Sequence, residues 1–212
     1  MRICEGSVRV DEKLDVWTED GQFIKVEDRE TVHLEGLWHQ TFHCWIIKGE
    51  SDTRTVLFQL RHPAKDISPN KLDISAAGHL AAGETPEDGV RELEEELGIQ
   101  LMFNELIPVG LIKETIVEAP YLDRERCHVF VGRYNQPILD YAVQESEVTG
   151  LFEIRAQDMV ELFEGKRESV SGEGFVIQDA KKNPVKRAFS KNDFVAHEDS
   201  YYREVFQKIM EL

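Results

Sequence analysis

Three observations predict an α/β layer fold. Short apolar, β-branched runs recur from residue 13 to residue 155, turn residues such as Asp20-Gly21 and Gly49 punctuate them, and helix-spaced apolar residues are confined to a few segments. No internal repeat or low-complexity linker breaks the pattern.

The elements follow in order. "KLDVWTEDGQFIKV" predicts two short strands around Asp20-Gly21. "TFHCWIIKG" and "RTVLFQLR" are apolar and β-branched, and predict a central hairpin closed near Gly49. On the first of these, His43, Trp45 and Ile47 share one face and Phe42, Cys44 and Ile46 the other. A polar loop, "HPAKDISPN", precedes the strand-like "LDISAAG". "LIPVGLIKETIVEA" and "RCHVFVGRYN" are further strands, with "PYLDRE" expected to separate them. "VTGLFEIR" is the expected last strand and "AQDMVELFEG" a helix. The polar segment 166–187 resists assignment. "EDSYYREVFQKIMEL" predicts a closing amphipathic helix, with Tyr201, Val205 and Ile209 about one turn apart. The expected organisation is one domain over residues 1–212, with a core at about 11–165 and a C-terminal extension at 166–212.

With 41% hydrophobic and 31% charged residues, the chain can bury a core and remain soluble. Its 25 basic and 41 acidic residues leave a net charge of -16. That sign argues against general affinity for nucleic acid or anionic membranes, although a cation could bridge the protein to a small phosphate compound. The first residues carry no signal-peptide pattern, nothing later has the length of a membrane span, and Cys4, Cys44 and Cys127 lack metal-type spacing. A cytoplasmic protein with reduced thiols is the expectation, with a homodimer left open.

The segment "GHLAAGETPEDGVRELEEELGI" carries the chemistry. Thr85 is the expected N-cap, Pro86 suits the first turn, and Gly98 suits the stop. Val90, Leu93 and Leu97 make an apolar face. Glu92, Glu95 and Glu96, at i, i+3 and i+4, share the neighbouring one. Like charges so placed repel by about 0.2–0.5 kcal/mol per pair. A solvated acidic stripe is one explanation; a hard cation such as Mg²⁺ or Mn²⁺ is the other, since it needs carboxylate oxygens and bridges them to phosphates.

The full string resembles the Nudix box, G-x5-E-x7-R-E-U-x-E-E-x-G-U with U aliphatic. Gly78, Glu84, Arg91, Glu92, Leu93, Glu95, Glu96, Gly98 and Ile99 fill every fixed position, but only six residues, 85–90, separate Glu84 from Arg91. The resemblance implies an α/β/α sandwich with a mixed sheet and the hydrolysis of a diphosphate linked to another group. It also implies Mg²⁺ or Mn²⁺ held by Glu92, Glu95, Glu96 and the Gly78 carbonyl, with Arg91 orienting the carboxylates through Glu84.

Outside the box, "HLEGLWHQTFHCW", "RHPAK", "SAAGH" and "DRERCHVF" resemble the isopentenyl-diphosphate isomerase branch over roughly residues 11–154. That enzyme's catalytic cysteine is replaced by Ala77, while its catalytic glutamate has a counterpart in Glu125. All three helix glutamates are retained, so the hydrolase is preferred to the isomerase and to a non-catalytic nucleotide-binding module. The resemblance further places Arg61 and Lys65 on substrate phosphate. A second metal would fall to His33, His39, His79, Asp123 and Glu125, with cleft-lining hydrogen bonds as the alternative role for His39 and His79. Glu125 and Glu92 are the two candidates for general base. The expected substrate is a small diphosphate, foremost a nucleoside diphosphate derivative.

Overall fold

The computed structural model describes residues 12–65 and 67–212. The calls on Cys4 and the first eleven residues lie outside them. Among the described residues, the strands form one connected sheet flanked by four helices.

Strands β1 (Lys13–Trp17) and β2 (Phe23–Asp28) form the expected antiparallel hairpin, with Gly21 at φ 89° in the turn. Helix α1 (Arg29–Glu35) follows; no sequence signal announced it, and it ends on Gly36 in the left-handed conformation. The long strand β3 (Trp38–Lys48) is the axis of the molecule.

The central hairpin is shorter than its sequence suggests. Strand β4 (Thr55–Arg61) pairs with β3 only at Ile47–Val56 and Lys48–Thr55, then splays away to pair with β9. Into the space beside β3 comes β6 (Ala76–His79), antiparallel to residues 41–44. Its precursor "LDISAAG" is therefore two strands, β5 (Leu72–Asp73) on β4 and β6 on β3. They part at Ser75, whose hydroxyl oxygen accepts the Ile46 N–H at 2.8 Å.

Strands β7 (Ile107–Glu118) and β8 (Tyr121–Arg133) form a tight hairpin, so the expected separator "PYLDRE" lies almost wholly inside β8. Strand β8 runs parallel to β3 from residue 124 to residue 133, with Glu125 opposite His39. Strand β9 (Val148–Arg155) is not the last strand. Segment 166–187 mostly forms β10 (Val170–Gln178) and β11 (Lys181–Phe189), which extend the sheet beyond β9. Its alternation of exposed polar and buried apolar residues on β10 is the signal, diluted in sequence by Gly172 and Gly174.

Helix α2 (Arg91–Leu97) covers one face of the sheet through Leu93 and Leu97, packed on Phe42, Cys44 and Ile46. Helices α3 (Ala156–Phe163) and α4 (Asp199–Glu211) cover the other, through Met159, Phe163, Tyr202 and Phe206 on Trp45, Ile47 and Phe58. This is the sandwich the box resemblance implies, and the predicted two-faced division of β3 holds. Cys44 and Cys127 are free thiols in these cores, each pushed up by burial. No helix among the described residues is long and apolar enough to cross a membrane.

Candidate active site

The expected cap of α2 is corrected. Thr85 does not cap the helix: its N–H and hydroxyl both donate to Asp88 at 2.8 Å, closing a turn that leads through a 3-10 segment at Asp88–Val90. The α-helix begins at Arg91, and this tighter entry absorbs the missing residue between Glu84 and Arg91. Gly98, at φ 67°, ends the helix as expected, its N–H donating to Glu94 O at 2.9 Å.

Glu84 keeps its place despite the shortened spacing. Arg91 grips it with Nε at 3.2 Å and Nη2 at 3.0 Å, while Nη1 reaches Glu92 and, at 3.3 Å, Glu95. Glu84 in turn accepts the Ala81 N–H at 2.8 Å. The guanidinium thus ties the loop to the first turn of α2.

The three glutamates are not equivalent. Glu92 and Glu96 are buried at 9% and 6% exposure, whereas the Glu95 side chain is 53% exposed. Glu96 accepts N–H groups from Ala77 and Gln59, both at 3.1 Å. Burial, followed by the nearby Glu92, raises its carboxyl to about 8. Burial and Glu95 likewise raise Glu92, against the pull of Arg91. Gly78 passes so close that a Cβ there would overlap the Glu92 carboxylate. The loop backbone and the glutamates therefore face one another with no side chain between them.

A second cluster adjoins through His79. Strand β3 supplies His39, α1 supplies His33, β6 supplies His79, and β8 supplies Asp123 and Glu125. The three imidazole centroids lie 5.0–5.1 Å apart. Burial depresses all three, His33 to about 4, so they are neutral at pH 7. His39 Nδ1 lies 3.1 Å from Leu37 O, which can only accept; the proton is therefore on Nδ1 and the Nε2 lone pair is bare. That lone pair faces Asp123 Oδ1 at 3.4 Å, and both atoms are buried without a hydrogen-bond partner. Burial and Glu125 push Asp123 well up. With Asp123 ionised, the two atoms are opposed acceptors in a buried cluster of histidine nitrogens and carboxylates, and a cation would relieve both that conflict and the upward push on Asp123. His33, His39 and His79 form one set spaced for a metal, and His39, Asp123 and Glu125 another.

Glu125 is held differently from its neighbours. Burial alone would raise it, but the His43 hydrogen bond and the nearby His197 hold it at about 2. His43 Nε2 lies 3.4 Å from its Oε2, and Cys127 Sγ–H donates to the same oxygen at 3.4 Å.

Both clusters open onto a cleft of about 1300 Å³. Arg61 and Lys65 line it, as does Tyr121, but neither cation is idle. Arg61 donates to Asp73 at 2.6 Å and to Ile67 O at 2.8 Å, and Lys65 pairs with Glu147. Burial and the neighbouring Arg61 depress Lys65. Two cleft residues, Asp73 and His197, had no sequence signal, nor had Glu114, buried behind them. His197 lies between Glu114 Oε2 at 2.7 Å and Asp73 Oδ1 at 3.5 Å, partners 83 and 124 positions away. Those carboxylates outweigh burial and raise it to about 10.

Comparison with known proteins agrees with this architecture. The NUDIX domain family matches residues 37–170. A Nudix hydrolase of Clostridium acetobutylicum is 41% identical over 202 residues, covering 95% of this chain and 98% of its own. Nudix hydrolase 3 of Arabidopsis thaliana is 43% identical over 147 residues, which are 66% of this chain and 19% of the plant protein. Among solved structures, a Deinococcus radiodurans protein aligns with a TM-score of 0.56 at 17% identity, over 73% of this chain and 90% of that one. A MutT protein of Methanosarcina mazei aligns at 0.51 and 14% identity, over 82% and 96%. These two likenesses concern the fold. The chain belongs to the Nudix family and is a hydrolase.

Proposed function

We propose that the protein hydrolyses a small diphosphate compound, foremost a nucleoside diphosphate derivative, in a reaction dependent on Mg²⁺ or Mn²⁺. The observation that carries this is the pair of buried, converging acceptor clusters on one cleft wall, with His39 Nε2 and Asp123 Oδ1 apposed and unpartnered. Glu92, Glu95, Glu96 and the Gly78 carbonyl would hold the hard cation. His33, His39, His79, Asp123 and Glu125 would hold a second, for which imidazole allows a softer ion. When bound, such ions offset phosphate charge and acidify water.

The chain's own groups supply the rest. Arg91 orients Glu84 and Glu92; Arg61 and Lys65 face the diphosphate. A general base must accept a proton and lie within reach of the attacking water. Glu125, held at about 2, is a poor acceptor, which favours a water-orienting or cation-binding part for it over the proton-accepting one. Glu92 is the better base if its neighbours Glu95 and Glu96 hold the ion: it is raised, and Arg91 binds its Oε1, leaving Oε2 to take the proton. The cleft is larger than a bare diphosphate requires, and Tyr121 on its wall offers a ring face to a base. The isomerase is disfavoured because Ala77 cannot transfer a proton.

The test is release of phosphate or monophosphate from a panel of nucleoside diphosphates, dinucleotides, nucleotide sugars and prenyl diphosphates with each ion. Glu96→Gln should lose orders of magnitude in turnover. Glu92→Gln should lose about 10²–10⁴-fold. Full activity in Glu96→Gln, or ion-independent hydrolysis by the wild type, would sink the assignment.

A further inference from the structure

The segment between β11 and α4 lies beyond the matched family domain, yet it enters the cleft wall. Val195 N–H donates to Leu72 O at 2.9 Å, and Tyr202 donates its hydroxyl to Val195 O at 2.9 Å. This pins the segment alongside β5, so that His197 arrives beside Asp73. The His197 ring stacks on Tyr201, with centroids 4.7 Å apart at 22°. It is 9% exposed.

From there a line of groups of alternating sign runs to the cleft. Glu114 Oε2 meets His197 Nδ1 at 2.7 Å, and His197 Nε2 faces Asp73 Oδ1 at 3.5 Å. Asp73 Oδ2 takes an N–H from Arg61 Nη1 at 2.6 Å. Arg61 Nη2 is held on its other side by Ile67 O. The guanidinium plane is thereby set from two directions, while its Nε–H is buried without a partner. An Asp73–Arg61 pair alone would satisfy a purely structural need. Two further charged groups in a buried site add desolvation cost, which a packing role does not require. A fixed fork with unused donors suits planar recognition of an oxyanion.

Resting on the hydrolase assignment above, we propose that His197 is a positioning residue that aims Arg61 at the substrate diphosphate through Asp73. The C-terminal extension then completes the substrate site rather than merely covering the sheet. Losing the imidazole leaves Asp73 with Arg61 as its one cationic side-chain partner, and the guanidinium is free to follow the carboxylate away from its set plane.

Calorimetric titration of methylenediphosphonate, a non-hydrolysable diphosphate, into the full chain with saturating Mg²⁺ tests this. His197→Phe should weaken binding about tenfold, through loss of the 3.5 Å charge contact that steadies Asp73. Arg61→Ala should weaken it at least as much. If His197 acts through Arg61, the double variant binds no more weakly than Arg61→Ala alone. His197→Gln, which keeps a donor towards Asp73, should recover part of the loss. The proposal is overturned if His197→Phe binds within about twofold of wild type, or if the double variant loses the product of the two single effects. It is equally overturned if the wild type does not bind the probe. Should His197→Phe fail to fold, Asp73→Asn replaces it in the same cycle, with the same two criteria. The nucleotide panel reports separately on the hydrolase: a wild type that binds the probe with this pattern but hydrolyses nothing refutes hydrolysis and leaves the positioning role standing.

Discussion

Glu96 shows how one buried carboxylate records the design of the site. It is surrounded by donors too few to offset its burial and by a second carboxylate, so it keeps a proton to about pH 8 in the ion-free protein. A carboxyl whose folded pKa lies above its unfolded value contributes stability that is fully present below the unfolded value and is lost as pH rises through the folded one. Wild type should therefore lose stability between about pH 4.5 and pH 8 relative to Glu96→Gln. Thermal unfolding of both proteins across that range, without divalent ions, should show the variant gaining several degrees at the alkaline end. A constant difference would mean that Glu96 is already ionised at neutral pH. The residues that bring charge to this point were legible in sequence, because Arg91, Glu92, Glu95 and Glu96 lie on one short helix. Their unequal burial was not, because it depends on β6 and β4, which supply Ala77 and Gln59.

At the scale of the element, α2 is only seven residues long and cannot be stable on propensity alone. It is fixed by Leu93 and Leu97 beneath, by Arg91 at its start, and by Gly98 at its end. The left-handed φ of 67° at Gly98 is costly for any residue with a Cβ, and such an atom would also lie 2.7 Å from Ala142 Cβ. Gly98→Ala should cost about 1–3 kcal/mol, read as a lower midpoint in urea unfolding with an unchanged slope. An unaltered midpoint would show that the 142–144 segment yields freely. The helix stop was legible because glycine answers a local demand of the backbone. The helix start was misread because Thr85 and Asp88 close a turn of their own, a contest between two local capping solutions that composition does not decide.

At the scale of the molecule, α3 and α4 join Trp45 and Phe58 in an aromatic core. Phe206 lies 5.3 Å from Trp45 and stacks on Tyr202 at 5.9 Å, fully buried. Phe206→Ala should cost about 3–5 kcal/mol, measured by equilibrium unfolding. Since α4 also positions Tyr201, whose hydroxyl contacts His43 Nδ1 at 2.9 Å, substrate turnover should fall in the same variant well below its melting temperature. Retained activity with that loss of stability would separate the core from the cleft.

The sequence by itself determined the sandwich, the glutamate helix and the family to which the chain belongs. The glutamate helix and the α/β layering rest on local periodicity, where physical neighbours are also neighbours in the chain, while the sandwich and the family came from the resemblance of the box. It also brought the scattered histidines into view, by resemblance. Only the tertiary structure decided that β4 leaves β3 after two pairs, that β6 takes the vacated edge, and that residues 166–187 extend the sheet. It alone joined Arg61, Asp73, Glu114 and His197. Those four come from β4, β5, β7 and the approach to α4, and no local propensity records which distant carboxylate a buried cation will meet. That choice is made by the register of the sheet and by the desolvation cost of leaving any one of the four unpaired.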